Sequence, residues 1–137
     1  MRVRAAAYVL CRDGEGRILL TRFVESGNPN TGQWTMPGGG MEWGEQSYET
    51  AARELHEETG LAAEPASTGQ SFTYVPEDWE PHAGIGLVRV DCFVADAPPA
   101  WEPQLDWEHD GYRWCGADEA AELLFWPEPR ALVRQLA

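Results

Sequence analysis

The sequence predicts a mixed α/β domain of the α+β type, built on a mixed β-sheet, and three observations predict it. Short apolar runs bounded by Gly, Pro, Asn and Asp recur at irregular intervals, one segment carries a strong helical period, and no regular strand–helix alternation joins them. Residues 1–137 read as a single domain. A chain of 137 residues buries one sizeable core, and 43% hydrophobic with 11% aromatic content is enough to fill it.

Taken in order, residues 3–11 and 17–23 flank the turn cluster Arg12-Asp13-Gly14-Glu15-Gly16, the pattern of a hairpin. Residues 26–32 form a loop. Residues 33–36 form a short strand that runs into Pro37-Gly38-Gly39-Gly40, where Pro cannot continue a ladder and three glycines clear side chains away. That bend predicts close approach to the backbone. Over 45–59 the residues Tyr48, Ala51, Ala52, Leu55 and Thr59 fall at helical spacing, and Gly60 supplies a left-handed cap before the apolar Leu61. Strands follow at 71–75, 85–95 and 111–115, Asp118 caps a short helix through Leu124, and 127–136 forms a last helix. The acidic, aromatic, proline-rich loops 76–81 and 97–110 lie between these strands, where binding and lid functions tend to sit.

Charge narrows the function. Ten basic and 23 acidic side chains give a net charge of −13, every basic residue is Arg, and the absence of Lys excludes a Walker A loop, a lysine Schiff base and a polybasic membrane patch. So acidic a surface repels duplex nucleic acid, and a phosphate ligand is expected to be small and escorted by cations. Cys11, Cys92 and Cys115 are odd in number and form no CxxC pair, which argues against a disulfide framework or a zinc ribbon. With no apolar run approaching a membrane span, the expectation is a soluble protein of the reducing cytoplasm with no membrane partner.

Glu54, Glu57 and Glu58 stand at i, i+3 and i+4, so a helix places all three carboxylates on one face, turned away from the Tyr48/Ala51/Ala52/Leu55 stripe. Like charges at those offsets repel. A hard divalent cation such as Mg²⁺ reverses the sign, because it prefers carboxylate oxygens and completes its shell with water and substrate phosphates. Arg53, one turn from both Glu49 and Glu57, can hold a glutamate by ion pairing, and Glu45 in the first turn can brace the Gly-rich bend or Arg53.

The pattern Gly39-x5-Glu45-x7-Arg53-Glu54-Leu55-x-Glu57-Glu58-x-Gly60-Leu61 resembles the Nudix box in every specified position. The flanking Trp34-Thr35-Met36-Pro37-Gly38-Gly39-Gly40 and Tyr112-Arg113-Trp114 are similar to the family's surroundings of that box. The resemblance implies the Nudix fold, a mixed β-sheet sandwiched between α-helices. It also implies metal-dependent hydrolysis of the pyrophosphate bond in a nucleoside diphosphate linked to another group. By the same resemblance Glu54, Glu57 and Glu58 hold Mg²⁺ or Mn²⁺ with help from the Gly39 carbonyl, Gly38 and Gly40 support the bend, and Arg53 belongs to the catalytic set. The general base is left open among Glu54, Glu57, Glu58, Glu102 and Glu108.

Phosphate charge not met by metal falls to Arg22 or Arg4. Trp79, Tyr74 and Trp101 are the expected stacking surfaces for a base, with Trp34 and Trp114 in the core. His56, His82 and His109 show no ligand spacing and are expected to be structural or solvated. Pro76, fifteen residues after Leu61, resembles the ADP-ribose subgroup, whereas the run 108–114, including Glu108, resembles nucleoside triphosphate and dinucleoside polyphosphate hydrolases. Small-molecule nucleotides, ADP-ribose, nucleotide sugars, or triphosphates such as an oxidised dNTP, are therefore the expected partners. A dinucleoside polyphosphate hydrolase and a non-catalytic nucleotide sensor are the alternatives, and a homodimer is compatible with the sequence.

Overall fold

A computed structural model describes residues 2–24, 31–76, 84–124 and 126–136. Its elements run β1 (Arg2–Arg12), β2 (Ile18–Phe23), β3 (Trp34–Thr35), β4 (Gly38–Gly40), α1 (Ser47–Thr59), β5 (Ala66–Tyr74), β6 (Ile85–Asp96), β7 (His109–Cys115), α2 (Ala117–Leu123) and α3 (Pro127–Leu136). The strands form one mixed sheet in the order β3-β2-β1-β6-β5, with β4 added to β1 and β7 to β2. β1 pairs parallel with β6 from Val3↔Leu87 to Arg12↔Asp96, and the other partnerships are antiparallel.

Strand alternation explains the layers. Ala6 and Leu10 of β1, Ile18 and Leu20 of β2, and Val88, Val90 and Cys92 of β6 point to one face, where they pack with Ala120, Leu124, Leu132 and Val133 of the α2/α3 region. The intervening Ala7, Val9, Cys11, Leu19, Phe93 and Ala95 point to the other face and meet Ala51, Leu55 and Leu61. Because both faces of β1 are covered, its centre reads as a nearly unbroken apolar run. Burying a leucine such as Leu10 or Leu55 contributes about 1.5–3 kcal/mol, so the sheet between helices is held from both sides.

Several boundaries differ from expectation. β5 begins at Ala66 rather than 71, because the long β6 templates the polar run 66–70 through a bulge in which Gly69 takes a φ of 73°. β7 starts at His109 rather than 111. α2 is capped by Gly116, and Asp118 sits in its first turn instead. α1 starts at Ser47, with Gln46 and Glu49 forming a capping box, so Glu45 precedes the helix and Glu49 is engaged at the cap rather than with Arg53. Trp79, His82 and most of the loops 26–32 and 76–81 lie outside the described residues. Among the described residues no helix is long and apolar enough to cross a membrane.

Candidate active site

The three glycines are not a free bend. They form β4, whose Gly40, Gly39 and Gly38 sit opposite Ala6, Ala7 and Tyr8, while the preceding Pro37 carbonyl accepts a 2.8 Å bond from the Val9 amide. The expected close approach is present. A Cβ on Gly39 would lie 2.6 Å from the Glu54 carboxyl carbon, one on Gly38 would strike the Tyr8 ring, and one on Gly40 would strike the Arg4 guanidinium.

α1 divides its glutamates. Its buried residues are Thr50, Ala51, Leu55, Glu58 and Thr59, whereas Tyr48 is 59% exposed. Tyr48 therefore leaves the expected core stripe and Glu58 joins it, since Glu58 is one turn from Leu55 on the same face. Glu58 Oε2 accepts a 2.8 Å bond from the Gly38 amide, and its Oε1 is 3.4 Å from His109 Nε2. Glu54 lies half-buried against Gly39 and takes a 2.8 Å bond from Arg53. Glu57 points outward, 53% exposed, with its carboxylate 3.2 Å from Arg53. The trio is thus two inward carboxylates and one outward.

Arg53 is the hub of the outer side. It donates to Glu45 at 2.7 Å, to Glu54 and Glu57, and to the Gly40 carbonyl at 3.1 Å. Glu45 also accepts from the Glu42 amide at 2.7 Å and the Thr50 hydroxyl at 3.0 Å. The Arg53 bond is the main reason its pKa is drawn down to about 2. Glu45 and Arg53 together tie the start of α1 to β4.

The inner carboxylates show the opposite electrostatics. Burial, then the charge of Glu54, holds Glu58 well above the usual carboxylate range, with the Gly38 amide pulling the other way. Burial also raises Glu54, against the opposing pull of Arg53. Glu108 adds negative charge to both. Oxygen donors crowded in a poorly hydrated corner fit a hard cation such as Mg²⁺ or Mn²⁺. Among the described residues no three His, Cys, Asp or Glu side chains converge as a ready-made metal cage, so an ion here would also draw on backbone, water and substrate oxygens.

These carboxylates line a cavity of about 560 Å³, in the size range of small-molecule sites. Gly38, Gly39, Gly40, Glu54, Glu58, Glu108 and His109 supply the polar and acidic part of the lining. Tyr8, Phe72, Tyr74, Val75 and Trp126 form an apolar wall, with Arg4 also on the lining and the start of α3 at its rim. Tyr8 and Phe72 meet edge to face at 6.0 Å.

The cavity admits some of the expected residues and not others. Arg4, Tyr74 and Glu108 line it. Arg22 is held by both oxygens of Asp110, at 2.7 and 2.9 Å, on an exposed part of β2 and is not on the lining. Glu102 accepts the Tyr112 hydroxyl at 2.7 Å outside the cavity. Trp101 packs edge to face on Trp114 at 6.3 Å against the α1-side core instead of offering a stacking surface. Trp34 packs on the opposite core, as expected. Sequence reasoning missed Trp126, Tyr8, Phe72 and above all His109, whose ring is buried with Nδ1 2.7 Å from Asp106. The i, i+3 spacing of Asp106 and His109 was the one available signal.

The NUDIX domain family profile matches residues 1–136. An asymmetrical bis(5'-nucleosyl)-tetraphosphatase of Rattus norvegicus is 33% identical over 106 residues, 74% of this chain and 68% of that protein. An RNA pyrophosphohydrolase of Erythrobacter litoralis is 41% identical over 74 residues, and there the match spans 54% of this chain and only 44% of the relative. The E. coli dihydroneopterin triphosphate pyrophosphohydrolase structure superposes with a TM-score of 0.83 over 99% of this chain and 97% of that one. At 18% identity this is a likeness of fold.

Proposed function

The chain belongs to the NUDIX domain family as a hydrolase of pyrophosphate bonds, and we propose that its substrate is a nucleotide carrying at least two linked phosphoryl groups, held in the 560 Å³ cavity. The observation that carries this reading is the lining of that cavity: the inward carboxylates Glu54 and Glu58 beside a glycine strand, together with the aromatic rings of Tyr8, Phe72 and Tyr74. The base stacks on the wall of Tyr8, Phe72 and Tyr74, where a planar ring gains about 1–3 kcal/mol. The phosphates lie toward β4, with Arg4 within reach of their charge.

Glu54 and Glu58, beside the backbone of Gly39, are the residues that would hold Mg²⁺ or Mn²⁺. When bound, such an ion supplies charge compensation for phosphate oxygens and a lowered pKa for water. Arg53 is off the cavity lining and positions Glu54 and β4. Glu57, facing outward, sets the Arg53 network rather than the cavity wall. Glu108, on the cavity wall and close enough for its charge to act on both inner carboxylates, is the proton acceptor for the attacking water. Buried free thiols at Cys11, Cys92 and Cys115, with pKa values pushed up to about 12, 12 and 11 by burial, suit a reducing cytoplasm.

Formation of the cleaved nucleotide products, resolved by anion-exchange chromatography, from a panel of ordinary and oxidised deoxynucleoside triphosphates, ADP-ribose, nucleotide sugars and diadenosine tetraphosphate tests the reading. Turnover of at least one member, abolished by chelator, restored by Mg²⁺ and lost in Glu54→Gln, is the expected result. Full turnover in excess chelator would overturn it. The diadenosine arm carries the second reading, favoured by the tetraphosphatase match, in which a second nucleoside extends beyond the cavity.

A further inference from the structure

His109 is a buried polar side chain that the reading above does not use. Its side chain is 2% exposed, at the start of β7, beneath the ring of Phe23 at 6.1 Å. Its two nitrogens face two carboxylates from different parts of the chain: Nδ1 meets Asp106 at 2.7 Å and Nε2 meets Glu58 at 3.4 Å. An ionised Asp106 only accepts, so the Nδ1 proton belongs to that bond and the ring plane is fixed by it. The second contact, at 3.4 Å, is longer than an ordinary hydrogen bond, and it sets the edge of the oriented ring against Glu58 Oε1. Glu58 Oε2 is meanwhile taken by the Gly38 amide, so each oxygen of this carboxylate has its own anchor, one on β4 and one on β7.

We propose that His109, itself oriented by Asp106, is a positioning residue that fixes the Glu58 carboxylate for cation binding. The proposal rests on the reading of Glu58 as a ligand of Mg²⁺ or Mn²⁺. A buried glutamate has several staggered rotamers, and a ligand carboxylate that wanders among them loses affinity even though its charge is unchanged. Partners that orient a ligand typically matter by about 10–100-fold in metal affinity. The arrangement also ties the loop that carries Asp106 and Glu108 to α1, so Glu58 and Glu108 on the cavity lining share one link through His109.

The test is Mn²⁺ binding to the nucleotide-free protein, followed by electron paramagnetic resonance, with folding checked by circular dichroism. His109→Leu is expected to weaken Mn²⁺ about tenfold or more. His109→Gln, whose amide reaches the Nε2 position, is expected to recover most of that loss. Asp106→Ala, which leaves the ring in place but free to turn, is expected to fall between. If Glu58→Gln loses Mn²⁺ while His109→Leu binds as the wild type does, the positioning role is overturned and the ligand reading stands. If Glu58→Gln binds Mn²⁺ normally, the ligand reading itself falls. A His109→Gln loss as deep as that of His109→Leu would reduce the residue to core packing and overturn the proposal. Should His109→Leu fail to fold, Asp106→Ala decides, and unchanged affinity there would sink it.

Discussion

Glu45 precedes the helix that carries Glu58 in its last turn, yet the two sit in opposite surroundings. Glu45 has an arginine at 2.7 Å and a pKa drawn down to about 2, while Glu58 has three nearby carboxylates, Glu54, Asp106 and Glu108, and is held well above the normal range chiefly by burial. The outer region, Glu45, Arg53 and Glu57, balances its own charge. In the inner region Glu54 also takes a bond from Arg53, but burial outweighs it and raises both Glu54 and Glu58. Identical side chains thus separate into a clamp that holds the fold and an inward pair suited to a cation, and the difference is whether ion pairing or burial dominates each carboxyl.

Glu58→Gln is the strongest way to break that contrast. It keeps the volume and removes the charge, so turnover should fall about a thousandfold while the metal-free protein is unchanged or more stable to urea. Lower stability together with retained turnover would place Glu58 in the clamp instead. Gly39→Ala pushes a methyl group against the Glu54 carboxylate, and the displacement should cost about a hundredfold in kcat with the substrate KM little altered. For the outer region the readout reverses. Arg53→Leu leaves Glu45 and Glu54 unpaired and should cost about 2–3 kcal/mol in urea unfolding, below the range for a fully buried pair because Arg53 is 22% exposed.

The pH dependence sharpens the same contrast. A carboxylate lowered to about 2 from an ordinary 4.5 contributes stability that is complete above 4.5 and is lost as pH falls toward 2. Glu45→Gln should therefore flatten the stability profile between those values, and a profile identical to wild type would remove Glu45 from the clamp. Glu57→Gln is the smallest expected effect, about threefold or less in turnover, because the pair it breaks with Arg53 is half exposed.

Much of this was legible in the sequence for local reasons. The β1–β2 hairpin, the Gly60 cap and the helix from Pro127 were marked by Gly and Pro, whose backbone preferences act over one or two residues. Glu58 on the buried face was also readable, being one turn from Leu55, but Tyr48 drew the apolar stripe to the wrong side. What was not legible depends on distant strands. His109 meets Glu58 only because β7 docks on β2, and Tyr8 meets Phe72 only through the β1–β6–β5 ladder. Arg22 looked equally suited to phosphate until Asp110, across the β2–β7 pair, claimed it.

The parallel union of β1 with β6 has a temporal consequence. Val3 finds Leu87, so everything between them, including β4 and α1, forms an excursion whose ends must be brought together against chain entropy before the central ladder can close. The hairpin and the helix can form early on their own, but the wall of Phe72 and Tyr74 that completes the cavity arrives only with that closure. A nascent chain released before β6 emerges would carry every box glutamate and still have nowhere to seat a nucleotide.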